Sequence, residues 1–192
     1  MKVQKSFLQG LFIAFTFSGI ILFCTGCKSG TDQHKQNTGA VKPSVDIHTA
    51  VLTGNMEALQ QHIAAGSDLN EKDPMGGSSP LITAALFNRE DMAKALIDAG
   101  ANVNFKNGEN STALITAAFF CRKEIVTFLL ANGADKTIKN KYGQNAYESV
   151  AGPYSTVKEV YEAFGKMFEP MGLKLDYAYI EKTRPEIAAI LQ

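Results

Sequence analysis

Hydrophobic and polar positions recur along this chain at a fixed interval. The segment Ser78–Asn104 returns 33 residues later as Ser111–Thr137, with its small residues and apolar positions in the same register. Weaker copies begin near Ile47 and Gly143. A period of this length predicts stacked helical units, at least three full ones and the start of a fourth, in place of a single globular core.

Each unit contains the signals of two short helices. In the third unit, Thr112 offers an N-cap, and Ala113–Phe120 has the length of a first helix. Lys123–Ala131 places its apolar residues on one face and predicts the second helix, which Gly133 can end in a left-handed conformation. We therefore predict an all-α fold built from helix-turn-helix units.

The motif residues of these units resemble the ankyrin-repeat family. The first-helix pattern is present as Ser79–Ala85, the loop pattern as Gly100–Asn104, and the first unit keeps the family's His as His48. The resemblance covers roughly residues 45–151. It implies an ankyrin-repeat solenoid with hairpin loops, in which partners bind the hairpin tips and the concave face of the first helices.

Several positions depart from that family pattern. Ile82 and Ile115 replace the family's His, so its polar tie to the neighbouring turn is lost. Asn110 stands where Gly is usual, and Asn88 and Cys121 occupy the position of the inter-helix Gly. We expect a left-handed backbone at these positions, which costs about 1 kcal/mol at Cys121.

The fourth unit is divided in the sequence. Asn145–Ala151 matches a first helix, and residues 183–191 resemble a second helix that begins with a capping box of Thr183 and Glu186. This spacing predicts an insertion of about 29 residues, near 152–180, inside the last repeat. The alternative is that the repeats stop at residue 151 and a separate helical cap follows.

The inserted segment is rich in aromatic residues. Thr156 and Glu159 predict the start of a helix that runs through Phe168, and Pro170–Gly172 breaks it. The aromatic spacing along this helix fits packing against the end of the solenoid, with a partner interface as the alternative.

The N-terminus has the pattern of an export signal. The positive residues Lys2 and Lys5 precede the apolar run Phe7–Phe23. The Thr-Gly-Cys sequence that ends at Cys27 resembles the lipobox of bacterial lipoproteins. The resemblance implies acylation of Cys27 after cleavage, whereas the alternative is an ordinary secretory signal with an incidental Cys27.

These patterns divide the chain into four parts. Residues 1–26 are the predicted signal peptide, and residues 27–43 are polar enough to form a disordered tether. Residues 44–151 hold the repeats, and residues 152–192 form an aromatic-rich helical insertion or C-terminal cap that ends in a last repeat helix. In bacteria with two membranes, Asp directly after the acylated Cys resembles an inner-membrane retention signal. Lys28 stands there instead, so the resemblance implies the outer membrane, facing the periplasm.

Composition mainly adds exclusions. A formal net charge of zero gives no sign of nucleic-acid binding. Because no metal-ligand spacing, phosphate-binding loop or nucleophile motif is visible, we expect no enzyme activity, no cofactor, no metal and no small-molecule substrate. Cys121 is the one thiol left in the folded part. We expect it to be a structural residue of the inter-helix turn, with a redox role as the alternative.

Candidate partner-binding residues lie where apolar side chains replace the family's polar consensus. Phe87 and Phe120 are one unit apart and predict an apolar ridge of the kind that marks an interface, unless the C-terminal insertion folds over them. The full set, from the first helices, the hairpin tips and the C-terminal segment, is Leu52, Leu86, Phe87, Phe119, Phe120, Met75, Lys106, Asn107, Glu109, Lys141, Tyr142, Tyr177 and Tyr179.

The sequence as a whole predicts a lipid-anchored envelope protein that binds another protein without chemistry. Small exported ankyrin proteins resemble both immunity proteins, which block secreted antibacterial effectors, and accessory proteins, which support periplasmic enzymes. We favour an immunity role slightly, because a rigid concave surface can occlude an effector's active site. A structural or surface-display scaffold of the envelope is the alternative from a different class.

Overall fold

The computed structural model describes residues 43–192, and the predicted signal peptide, Cys27 and nearly all of the tether lie outside this range. Within residues 43–192 the fold is all-α, as predicted, and its first part consists of three consecutive helix pairs. The helices of these pairs are α1 (Ile47–Thr53), α2 (Met56–Ala64), α3 (Pro80–Leu86), α4 (Glu90–Asp98), α5 (Ala113–Phe119) and α6 (Lys123–Ala131).

The first helix of each pair begins at a capping side chain. Asp46 accepts a hydrogen bond from the backbone N–H of Thr49 at 2.9 Å, and Ser79 and Thr112 do the same for residues three positions on, at 3.4 and 3.3 Å. These caps satisfy N–H groups that lack a partner inside the helix. The predicted N-cap at Thr112 is confirmed.

The pairs stack so that like helices lie side by side. First helices pack against first helices, α1 with α3 and α3 with α5, and second helices do the same along α2, α4 and α6. The Ala pairs of α3 and α5 are fully buried at these contacts. A small side chain there lets neighbouring helices approach closely, which is why both copies of the repeat carry Ala-Ala.

Left-handed backbone occurs at the predicted non-glycine positions. Asn88, Asn110 and Cys121 have φ values of 55°, 57° and 55°. Asn88 lies between the two helices of the second pair, and Cys121 lies between those of the third. Gly54, with φ 76°, occupies the same position in the first pair. The strain that the sequence predicts at Cys121 is therefore present in the fold.

The hairpin loops between pairs are joined to one another at their tips. The backbone N–H of Gly108 donates to the carbonyl of Gly76 at 2.9 Å, and the N–H of Lys141 donates to the carbonyl of Glu109 at 2.9 Å. These bonds connect three successive loops. The tips therefore form one continuous edge of the molecule.

The predicted first helix of the fourth unit is wrong. Residues 145–151 form a series of turns and no α-helix, although Asn145 and Glu148 exchange the two hydrogen bonds of a capping box, both at 2.8 Å. Gly152-Pro153 follows directly. The residue before a proline is disfavoured in the helical region of the backbone, so a helix does not continue through Gly152. The chain then enters a short 3-10 helix, Tyr154–Thr156.

Two further helices complete the fold. Helix α7 (Lys158–Phe168) ends where predicted and is followed by the 3-10 turn Glu169–Met171. Helix α8 (Tyr177–Leu191) lies against α5 and α6. Among the described residues, no helix is both long enough and apolar enough to cross a membrane.

Both predicted caps of the C-terminal segment are wrong. The hydroxyl of Thr156 donates to the carbonyl of Pro153 at 2.6 Å instead of capping α7. Helix α8 begins two turns before Thr183, because Asp176 accepts from the N–H of Tyr179 at 3.0 Å and caps it there. Thr183 is buried inside the helix, so it faces the core and not a helix end.

Candidate protein-binding surface

Helix α7 covers the aromatic side chains at the ends of the first helices. The ring of Phe119 stacks on that of Tyr161 with a centroid distance of 4.5 Å, and Phe120 meets Phe164 edge-on at 5.6 Å. One unit away, Phe87 meets Phe168 edge-on at 6.3 Å. Helix α7 therefore runs back along the repeat stack, from the third unit to the second.

The prediction of an exposed Phe87–Phe120 ridge is wrong, and its alternative describes the structure. Phe120 is only 4% exposed, and Phe87 and Phe119 are half-buried. Leu52 and Leu86, at the equivalent places of the first two units, are also half-buried. The sequence shows the apolar row itself but contains no local signal for the helix that folds over it.

The carbonyls at the ends of the first helices are bound in series by side chains from the next unit. The guanidinium of Arg89 donates to the carbonyl of Leu52 at 2.9 Å, and that of Arg122 donates to the carbonyl of Leu86 at 3.3 Å. A helix end leaves carbonyls without partners inside the helix, so these bonds stabilise both the helix and the stack. The 33-residue spacing of the two arginines was visible in the sequence, but their role was not predicted.

The third carbonyl in this series has a different donor. The hydroxyl of Tyr161 donates a short hydrogen bond to the carbonyl of Phe119, and it accepts one from Arg184 at 2.7 Å. Arg184 is 2% exposed and also donates to the carbonyl of Gly152 at 3.1 Å. Burial raises the pKa of Tyr161 far above its ordinary value, which keeps the hydroxyl protonated and able to donate. Helix α8 thus holds α7 on the repeats.

The predicted tip residues have mixed exposure. Met75 is 71% exposed, and Lys106, Glu109 and Lys141 are exposed as well. Tyr142 is half-buried, and its hydroxyl donates to a carboxylate oxygen of Glu109 at 3.2 Å. The second carboxylate oxygen of Glu109 lies 3.8 Å from Nζ of Lys141. Part of the charge at the tips is therefore already paired within the molecule.

Asn107 has a structural role in its loop. Its side-chain oxygen accepts hydrogen bonds from the N–H groups of Glu109, at 3.0 Å, and Ser111, at 2.9 Å. Asp73 and Asn140 have the same role in the other two loops, where each accepts hydrogen bonds from backbone N–H groups of its own loop. These side chains fix the tip geometry and leave the flanking residues to face solvent.

Two predicted tyrosines lie at the start of α8. Tyr177 is 37% exposed and Tyr179 is 43% exposed. The hydroxyl of Tyr177 lies so close to Gly165 that a Cβ added there would overlap it. Gly165 therefore provides the space in which α8 approaches α7, and Tyr179 is the more accessible of the pair.

Cys121 is buried within the contact between the third unit and α8. It is 1% exposed, and its sulfur lies 3.7 Å from the carbonyl oxygen of Ile180. Burial raises the pKa of the thiol to about 11. Because the thiolate is the reactive form, this environment makes Cys121 a poor nucleophile at neutral pH.

The described residues also contain an open groove of about 450 Å³ between α4 and α6. It is lined by side chains of both charges, among them Lys94, Glu124 and Phe128. Nζ of Lys94 lies over the ring of Phe128, 5.7 Å from its centroid. No group of three His, Cys, Asp or Glu residues within residues 43–192 is arranged to hold a metal ion.

Comparisons with known proteins agree with the repeat architecture. Residues 47–140 match the family model for ankyrin repeats in three copies. Inversin of Gallus gallus is 37% identical over 68 residues, which are 35% of this chain and 6% of inversin. The B-cell lymphoma 3 protein homolog of Mus musculus is 39% identical over 67 residues, which are 35% of this chain and 15% of that protein.

A solved structure shows the same likeness in three dimensions. The ankyrin repeat domain of Bcl-3 superposes with a TM-score of 0.52 and 33% sequence identity, covering 54% of this chain and 45% of that one. The chain spans only a small part of the curated relatives it matches, 6% of inversin in the case above. The likeness therefore concerns the repeats.

Proposed function

We propose that this chain, whose residues 47–140 form an ankyrin-repeat domain, binds another protein through its hairpin tips and the exposed parts of its concave face. Ankyrin repeats are protein-binding modules, and the proposal assigns no chemical step to this one. The observation that carries it is the row of connected tips, at which Met75 is 71% exposed. Met is enriched at protein-binding surfaces because its flexible side chain adapts to a partner.

The tips are suited to binding because they are held in place before a partner arrives. The Gly108–Gly76 and Lys141–Glu109 backbone bonds connect neighbouring loops, and Asn107 fixes the loop between them. A surface that is already ordered loses less conformational entropy when it binds. A rigid edge of this kind favours a folded partner with a complementary surface.

The finer proposal is that the protein is anchored in a bacterial envelope by a lipid on Cys27. It is supported by the sequence of residues 1–43, in which positive charge, an apolar run and the Thr-Gly-Cys motif follow one another. Lys28 after the acylated residue favours the outer membrane, with the repeats in the periplasm. An anchored domain of this kind meets partners that pass through or reside in the envelope.

Two partner classes fit such a location. A secreted antibacterial effector would be blocked by a rigid surface that occludes its active site, which makes the chain an immunity protein. A periplasmic enzyme would be supported by the same kind of contact. We favour the immunity role, and an envelope scaffold or surface-display protein is the second candidate. Loss of the domain when intact cells are treated with protease would favour display.

An affinity pull-down from the native envelope tests the proposal. The bait is the wild-type chain, a Met75→Asp variant, and a control in which the exposed Gln60 of α2 becomes Asp. We expect a captured partner whose yield drops at least about 10-fold for Met75→Asp, because buried charge opposes apolar contact. The control should keep the partner, and thermal unfolding should be unchanged in both. Equal capture by all three baits would contradict the assignment of the tips.

A further inference from the structure

The aromatic row under α7 extends further than α7 does. Leu52, Leu86 and Phe119 occupy equivalent places in three successive first helices, which pack side by side. Among the described residues, the aromatic contacts of α7 reach as far as Phe87, in the second unit. In the first unit the row continues as the half-buried Leu52, beside the exposed and polar Thr53 that stands where Phe87 and Phe120 lie in the other units.

The two halves of α7 are held differently. Its beginning is anchored in the core, since Tyr161 is fully buried and its hydroxyl connects Phe119 with Arg184. Its end packs on the row through Phe168, whose ring meets the half-buried Phe87 edge-on, and the hydroxyl of Tyr177 from α8 lies against Gly165. The neighbouring Met167 is 38% exposed. Segments with fewer buried contacts open at lower free-energy cost than the core does.

Helix geometry sets how much of the row α7 can cover. Tyr161 and Phe168 are seven positions apart, about 10 Å along a helix axis, which matches the roughly 8–10 Å between packed helices. Helix α7 therefore spans one inter-unit distance. A helix that reached from the third unit to Leu52 would need about 20 Å, or roughly 14 residues, and would bury more apolar surface than α7 does.

We propose that the C-terminal half of α7 is a displaceable strap and that the row beneath it is a second docking surface for an amphipathic helix of the partner. The inference rests on the proposed protein-binding function. The partner helix carries aromatic side chains at the spacing that α7 uses, that of Tyr161, Phe164 and Phe168. Its apolar face packs against the row as an amphipathic helix packs into a hydrophobic groove. It replaces Phe168 over Phe87 and continues to Leu52.

A peptide of the chain itself is the probe. A fluorescent synthetic peptide of residues 157–171 is titrated to about 1 mM, since short isolated helices are weakly formed. The targets are the wild-type chain, Phe168→Asp, which loosens the strap, and Met167→Asp, a matched control on the same helix whose side chain is exposed. We expect at least about 10-fold tighter binding to Phe168→Asp than to the other two, and loss of that binding when Phe87→Asp is added.

Hydrogen exchange supplies the second measurement. Saturating peptide should speed exchange of the wild-type strap amides after Gly165 at least about 5-fold while those of α5 stay protected. The proposal is overturned if all targets bind the peptide equally, if Phe168→Asp does not bind it, or if adding Phe87→Asp leaves binding unchanged. Unchanged hydrogen exchange of the strap amides also overturns it. Phe168→Ala serves the same purpose if Phe168→Asp is unfolded. Because no partner is involved, failure here is separate from failure of the pull-down.

Discussion

The hydroxyl of Tyr161 joins the guanidinium of Arg184 to the carbonyl of Phe119, so that one side chain connects α7, α8 and the third unit. In the first two units an arginine donates directly to the equivalent carbonyl. Tyr161 replaces that arginine and at the same time provides an acceptor for another. The C-terminal segment is thus attached to the repeats through the same kind of acceptor, a carbonyl at the end of a first helix, that joins one repeat to the next.

Replacing Tyr161 with Phe should destabilise the protein by about 1–3 kcal/mol, because the part-buried carbonyl of Phe119 and the buried guanidinium of Arg184 each lose a partner. Urea unfolding of the full chain measures the change. Tyr179→Phe is the matched control, since Tyr179 is 43% exposed and should unfold like the wild type. Equal midpoints for the two variants would show that the bond contributes little.

Phe120→Ala and Phe87→Ala should differ sharply in stability. Phe120 is 4% exposed, so its truncation should cost about 3–5 kcal/mol through lost burial and the cavity left behind. Phe87 is half-buried, and its truncation should cost roughly 1 kcal/mol. Thermal or urea unfolding distinguishes the two. A similar cost at both positions would mean that α7 covers the row evenly.

The thiol of Cys121 should resist alkylation at neutral pH, because burial raises its pKa to about 11. In a chain with Cys24 and Cys27 changed to Ser, iodoacetamide labelling followed by mass spectrometry should be slow in buffer and fast in urea. The pKa of the thiol is higher in the folded state than in the unfolded state. The stability that the neutral thiol contributes is therefore fully present below the unfolded pKa and is lost as the pH rises above it. The wild type should therefore lose stability relative to Cys121→Ala as the pH rises from about 9 to about 11.

Asn88 tests the cost of the left-handed inter-helix position. Its φ is 55°, a conformation that Gly adopts freely and Ala does not. We expect Asn88→Ala to be less stable than Asn88→Gly by about 1 kcal/mol. The comparison uses urea unfolding, with Asn132→Ala as a control at a helix end of ordinary φ, −107°.

Changing Cys27 to Ser should release the protein from the membrane fraction if the lipid anchor exists, since acylation requires the thiol. Cys24→Ser is the matched control and should leave the distribution unchanged. Fractionation of host cells, combined with labelling by a clickable palmitate analogue, measures both effects. Labelling that persists in Cys27→Ser would move the acylation site elsewhere.

Local signals in the sequence predicted most of the repeat domain. Lys123–Ala131 begins and ends where its apolar face and Gly133 indicate, and Thr112 caps the helix before it. Caps of this kind act within four residues, so a short window contains the information. The positive φ of Cys121 followed in the same way from its place in the repeat.

The C-terminal segment could not be predicted as well, because its structure depends on distant residues. Thr183 has the sequence signature of a cap, yet Asp176 begins α8 earlier and Thr183 packs in the core. The row at Phe87 and Phe120 was recognisable as apolar, but its burial depends on Phe164 and Phe168, far along the chain. Repeat periodicity carries no information about an irregular segment that interrupts it.

The exchange of arginine for Tyr161 also limits how this protein can grow by duplication. An extra copy of the middle unit can be inserted internally, since its Arg89 or Arg122 equivalent would find the carbonyl of the unit before it. A unit stacked beyond the C-terminal segment would find the carbonyl of Phe119 already bonded to Tyr161. Added repeats therefore fit before the α7 attachment, where each first-helix carbonyl meets an arginine of the next unit.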